Sequence, residues 1–160
     1  MHSHTTTSHH SQPLCGLQSA IRLPLGNASP SNGEFVKVLD AYRDLGGLAR
    51  AQEVASMTVS RCGPDVRTLA LWILEGHLLS FEWQSQIWIP LFQFDRATMA
   101  LHEGLIEVCS VLARTFAPWE QAIWFAQPNQ ALGDRVPAQV LALDCEAVAM
   151  AARGDLLLLG

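Results

Sequence analysis

The run LHEGLIEVC carries His102, Glu103 and Glu107, the closest approach in this sequence to an acid–base set, and His77 is the one other histidine beyond the first ten positions. A general base needs a partner within hydrogen-bond reach. Adjacent positions on a helix diverge by about 100°, so Glu103 turns away from His102. Glu103 and Glu107 lie one helical turn apart, a spacing that suits a solvated face as well as an active site. The sequence contains no GxSxG, HExxH, GxGxxG or P-loop pattern, and so offers no nucleophile elbow, zinc pair or phosphate cradle. It reads as a chain that is not an enzyme and has no cofactor.

Metal and redox chemistry find equally little. Cys15, Cys62, Cys109 and Cys145 are far apart, with no C-x-x-C pair and no histidine at zinc spacing, so they read as reduced, small hydrophobes. His2, His4, His9 and His10 are able to hold a transition metal weakly, as an affinity tag does. A floppy polar tail is the simpler reading, and no metal site is assigned.

Nucleic acid is a second class to weigh. The net charge is −5 and Lys37 is the only lysine. No segment carries the basic excess that phosphate binding draws on. The DNA-reading candidates are Arg61, Arg67 and Thr68, at the start of the third of the helices predicted below. That helix also carries Asp65 and Glu75, so a degenerate helix-turn-helix is favoured over a strong DNA binder.

The elements that must position these residues follow from periodicity. Residues 1 to 33 are rich in Ser, Thr, His, Pro and Gly and read as a disordered tail. They show neither a secretory signal nor, as in the rest of the chain, a membrane-length apolar run. The expected location is the cytoplasm. From Glu34, EFVKVLDAYRDL is amphipathic and ends at Gly46 and Gly47. LARAQEVASM reads as a second helix from Leu48, and DVRTLALWILEG as a third, opened by Pro64 and Asp65 and closed by Gly76. Residues 77 to 95, HLLSFEWQSQIWIPLFQFD, alternate on both sides of Gln84, Ser85 and Gln86, which predicts a β-hairpin with Pro90 near a strand end.

Helix, turn, helix and hairpin over residues 34 to 95 is the layout of a winged helix-turn-helix. The same hairpin run is expected to aim Phe81, Trp83 and Ile87 or Ile89 at the preceding helices, and Phe92 and Phe94 into a C-terminal core. Residues 96 to 160 read as a helical domain. Asp95 or Thr98 is the expected cap of a long helix through MALHEGLIEVCSVLARTF. Pro118 opens PWEQAIWFA, QPNQALGDRVP is a loop, Pro137 opens a short helix, and Asp144 caps CEAVAMAAR. The fold class is therefore mainly α, with a helix-turn-helix-like module, a short hairpin and a helical C-terminal domain.

Trp119 and Trp124 sit five apart in the fifth predicted helix and point in different directions, which leaves one of them for a rim where aromatics anchor partners. Around them the run W-F-x-x-P-N-x-x-L-G-x-x-x-P, formed by Trp124, Phe125, Pro128, Asn129, Leu132, Gly133 and Pro137, is followed by a helix with Ala-Ala-Arg. This block resembles the C-terminal toxin-binding domain of Xre/MbcA/ParS-type antitoxins. The segment PLFQFD at Pro90 to Asp95 resembles the lead into that domain. The resemblance covers about half of the chain.

It implies a helical antitoxin that binds a RES-type, NAD-consuming toxin and covers its active site. It also implies an N-terminal region that supports homodimerisation and DNA binding. Carried over, the partner-binding residues are Trp124, Asn129, Leu132, Gly133 and Pro137, with Arg153 as a further candidate. The competing reading is a transcriptional regulator that binds DNA through residues 48 to 76. Taken alone, Pro128-Asn129, Gly133 and Pro137 also suffice to shape a helix-loop-helix, and shape and contact are compatible roles.

Overall fold

A computed structural model describes residues 29 to 159. The histidines of the tail and Cys15 lie outside the described residues. Among the described residues the chain forms seven α-helices and one small antiparallel sheet.

The first helix, α1 (Asn32–Ala41), starts where a capping box can form: Ser31 Oγ accepts from the Glu34 N–H and the Glu34 carboxylate accepts from the Ser31 N–H. Phe35, Val38 and Tyr42 bury its apolar side. After Gly46 and Gly47 the chain forms β1 (Leu48–Arg50), where a second helix was expected to begin at Leu48. That helix, α2 (Ala51–Ser60), starts three residues later, because the Glu53 carboxylate takes the Arg50 N–H at 2.7 Å and Leu48 to Arg50 pair with a strand instead. The third helix, α3 (Val66–Leu74), is capped by Asp65, whose carboxylate accepts from the Thr68 N–H at 2.7 Å.

The hairpin is present as β2 (Phe81–Trp83) and β3 (Gln86–Pro90), with Pro90 at the end of its strand. Gln84 and Ser85 form the two-residue turn, both at positive φ (49° and 58°), the backbone that matches strand twist in tight hairpins. The sheet order is β1-β3-β2. Trp88 of β3 stands opposite Arg50 on one side and Phe81 on the other.

Alternation along β3 splits the sheet between two cores. Ile87 and Ile89 join Val54, Leu69, Ile73 and Met99 under α2 and α3. Trp88 turns the other way, toward Phe35 of α1, which stacks on Trp83 at 3.8 Å with planes 2° apart. Phe81 and Trp83 therefore pack on α1 and the second core, while only the isoleucines face α2 and α3. Phe92 enters the second core, with its ring 4.9 Å from Phe125. Phe94 does not: it packs with Ile89 and Met99 in the first core. The reason is the 3-10 turn Leu91–Gln93, which holds Phe92 and turns the chain by about 120° per residue, so that Phe94 does not return to the same face as it would in a strand.

The long helix expected from residue 98 is the largest departure. Asp95 caps a turn instead, accepting from Ala97 N–H, Thr98 N–H and Thr98 Oγ1 at 2.9 to 3.1 Å. Phe94 pairs with Leu101 as an isolated bridge, and α4 (Leu105–Leu112) begins only after Gly104. His102 and Glu103 are outside the helix. Then come α5 (Pro118–Ala126), a 3-10 turn (Gln130–Leu132), α6 (Pro137–Val140) and α7 (Cys145–Leu159). Asp144 caps α7, accepting from the Ala147 N–H at 3.0 Å. The second core joins α4 to α7 with α1, so the first helix among the described residues is packed against the last ones. The buried Tyr42 O–H donates to the Ala122 carbonyl of α5 at 2.7 Å.

Candidate functional site

The W-F-x-x-P-N motif is held by a carboxylate that sequence reasoning did not single out. Asp155 of α7 accepts from Trp124 Nε1 at 2.7 Å and from Asn129 Nδ2 at 2.9 Å. One carboxylate oxygen thus ties the end of α5 and the following loop to the last helix. A hydrogen bond to a charged acceptor contributes more than a neutral one, about 1.5 to 3 kcal/mol. The only signal for Asp155 in the sequence is a charge inside the apolar run GDLLLL, which asks for a donor nearby.

Asn129 does a second job. Its Oδ1 accepts from the Ala131 N–H at 2.9 Å, opening the 3-10 turn, while its backbone N–H donates to the Arg135 carbonyl at 3.0 Å. Gly133 ends that turn at φ 66°, a left-handed backbone that β-carbon-bearing residues adopt at a penalty of roughly 1 to 2 kcal/mol. Arg135 Nε donates to the Leu132 carbonyl and closes the loop from its other side. Leu132 and Pro137 are buried, Leu132 in the second core. The loop surface itself is presented by Gln130, Ala131, Gly133, Asp134 and Arg135, all exposed.

Trp119 and Trp124 are both half-buried against the second core, in place of one buried and one at the rim. Arg153 ion-pairs with Glu107 of α4, about half of each side chain being exposed. Pairs of this kind contribute about 0 to 1 kcal/mol, so Arg153 is held loosely. Around it α7 exposes apolar side chains: Met150 at 62%, Leu157 at 82%, Leu158 at 85% and Leu159 at 60%. The structure thus joins Trp124 and Asn129 at Asp155 of α7, whereas Arg153, two residues earlier on that helix, turns to Glu107 of α4.

The DNA-reading candidates sit at the end of α2 and the start of α3. Arg67 and Thr68 lie in the first turn of α3, and the Thr68 N–H is taken by Asp65. Arg61 ends α2 and donates from Nη1 to the Met99 sulfur at 3.3 Å. The outer side of α3 exposes Val66, Leu71 and Leu74 together with Arg67, a mostly apolar surface with a single cation where a phosphate backbone is tracked by several.

No group of His, Cys, Asp and Glu able to hold a metal ion occurs among the described residues. No helix among them is long and apolar enough to cross a membrane. Comparison of the chain with protein-family models, curated proteins and solved structures found no match.

Proposed function

We propose that this chain is an antitoxin-like, non-enzymatic cytoplasmic protein. It binds and neutralises a cognate RES-type, NAD-consuming toxin through a helical domain that follows a helix-turn-helix-like module. The observation that carries the reading is the joint at Asp155. Trp124 and Asn129, two residues of the motif, converge on the helix that exposes Met150, Leu157 and Leu158. A motif tied by a charged hydrogen bond to an exposed apolar helix is suited to holding a partner-facing surface rigid, and rigidity lowers the ordering penalty on association. The exposed Gln130, Asp134 and Arg135 add polar groups on the loop that Asn129 ties to that helix.

The test is co-expression with a RES-type toxin encoded beside it. The wild-type chain should restore growth and NAD levels and co-purify with the toxin. Leu157→Asp combined with Leu158→Asp should abolish both while leaving the melting temperature near wild type. If the toxin neither binds nor loses activity, the reading is wrong.

One observation favours the second reading, a transcriptional regulator that binds DNA through residues 48 to 76. The order α1-β1-α2-α3-β2-β3 with sheet order β1-β3-β2 supports the winged helix-turn-helix reading of this half of the chain. Fluorescence anisotropy with upstream DNA at low salt separates the two. Saturable, sequence-dependent binding lost in Arg67→Ala supports regulation, and sequence-blind weak binding counts against it.

A further inference from the structure

Arg61 and Arg96 line one cleft of about 150 Å3, floored by Met57, Leu91, Phe94 and Met99 and edged by Gly46. Three of the described arginines are ion-paired, Arg43 with Asp40, Arg50 with Glu53 and Arg153 with Glu107, while Arg67, Arg114 and Arg135 are not. Among the described residues neither Arg61 nor Arg96 has a carboxylate within ion-pair distance. The hydrogen bond that Arg61 does make goes to the Met99 thioether, a weak acceptor. Two guanidinium groups, with several strong donors unspent, therefore share a small depression whose floor is apolar.

Gly46 has φ +100°, and a β-carbon there would lie 2.9 Å from Arg96 Nη2. Glycine at this position thus supplies the turn and leaves room for the guanidinium against it. Asp44, Asp95 and His102 line the groove that adjoins the cleft on the Arg96 side. The two carboxylates disfavour an anion approaching through that groove, which leaves the Arg61 side as the entry.

We propose that this cleft binds a small organic anion. Its carboxylate or phosphate is held by Arg61 and Arg96, and its apolar body lies on Met57, Leu91, Phe94 and Met99. Guanidinium forks suit either anion. The apolar floor selects against a bare, fully hydrated anion. The volume falls below the roughly 300 Å3 at which drug-sized pockets begin, so the body is a single ring or a short chain. The cleft is separate from the α7 surface, and the proposal does not depend on the toxin-binding reading.

Calorimetric titration of the full chain with benzoate, phenyl phosphate and inorganic phosphate tests it, with amide NMR shifts of Gly46 and Leu91 reporting the location. At least one of the two ring-bearing anions should bind saturably and shift those amides, and the stronger of the two identifies the anionic group. Arg61→Ala and Arg96→Ala should each weaken binding at least tenfold, while Arg114→Ala, a surface arginine elsewhere, leaves it unchanged. Arg61→Gln and Arg96→Gln keep the stem of each side chain and serve where the alanine variants fail to fold. Any of three results overturns the proposal: no saturable binding by either ring-bearing anion, inorganic phosphate binding as tightly as both, or folded arginine variants that bind like the wild type.

Discussion

At the scale of single residues, Asp155 is the most informative side chain. Asp155→Ala removes the shared acceptor of Trp124 and Asn129 and should lower stability by about 2 kcal/mol. Urea unfolding followed by tryptophan fluorescence checks this. Asp155→Asn keeps an acceptor oxygen and should lose less. Gln93 is a comparable device in the other half of the molecule. Wholly buried, it accepts from the Leu79 N–H and donates to the Leu79 and Pro90 carbonyls at 2.7 to 2.9 Å, standing in for a missing strand. The thiols are set apart by burial. Desolvation pushes the Cys109 thiol up to about 12, and since the thiolate is the reactive form, Cys109 should resist alkylation at neutral pH. Cys62, which is exposed, should label promptly. Peptide mapping after brief iodoacetamide treatment distinguishes them, and rapid labelling of Cys109 would show that its burial is not maintained in solution.

At the scale of elements, the hairpin turn carries avoidable strain, since Ser85 sits at φ 58° without being glycine. Ser85→Gly should raise stability by about 1 kcal/mol, read as a higher melting temperature with the same fold by circular dichroism. Phe94→Ala should lower stability by roughly 3 to 5 kcal/mol, as for other buried phenylalanines. The loss is expected in the core under α2 and α3, because that is where the ring packs. These two elements also show what the sequence made legible. Gln84 and Ser85 between alternating apolar runs were enough to place the hairpin. Alternation could not tell that Leu91–Gln93 winds into a 3-10 turn, which sends Phe92 and Phe94 to different cores. The strand at Leu48–Arg50 was hidden because three residues are too few to show a period, and its pairing partner lies forty residues on. The expected helix over residues 98 to 104 failed for a related reason. Its apolar spacing is helical, but Asp95 spends its carboxylate on a turn and Gly104 delays the start. Within the candidate site, Asn129, Gly133 and Pro137 were visible as turn chemistry. Asp155 was not, because its donors are 26 and 31 residues away.

At the scale of the whole molecule, the sheet is a shared wall. One side of β3 belongs to α2 and α3, and the other to a core in which α1 meets α4 through α7. The chain passes from the first core to the second and cannot be cut at residue 95 without parting α1 from its packing partners. A fragment of residues 29 to 103 should therefore populate a partly ordered state that binds a hydrophobic dye, whereas residues 29 to 159 should unfold in one cooperative step. Circular dichroism and dye fluorescence compare the two, and a fragment as cooperative as the longer chain would show that α1 does not need the C-terminal helices. The Tyr42 hydroxyl reaches across 80 residues to the carbonyl of Ala122. On a ribosome that bond has a timetable: α1 emerges early with Phe35, Val38 and Tyr42 uncovered, and it waits until α5 and α7 have been made. During that interval the nascent chain presents an aromatic helix to its surroundings, which makes α1 a natural substrate for chaperones.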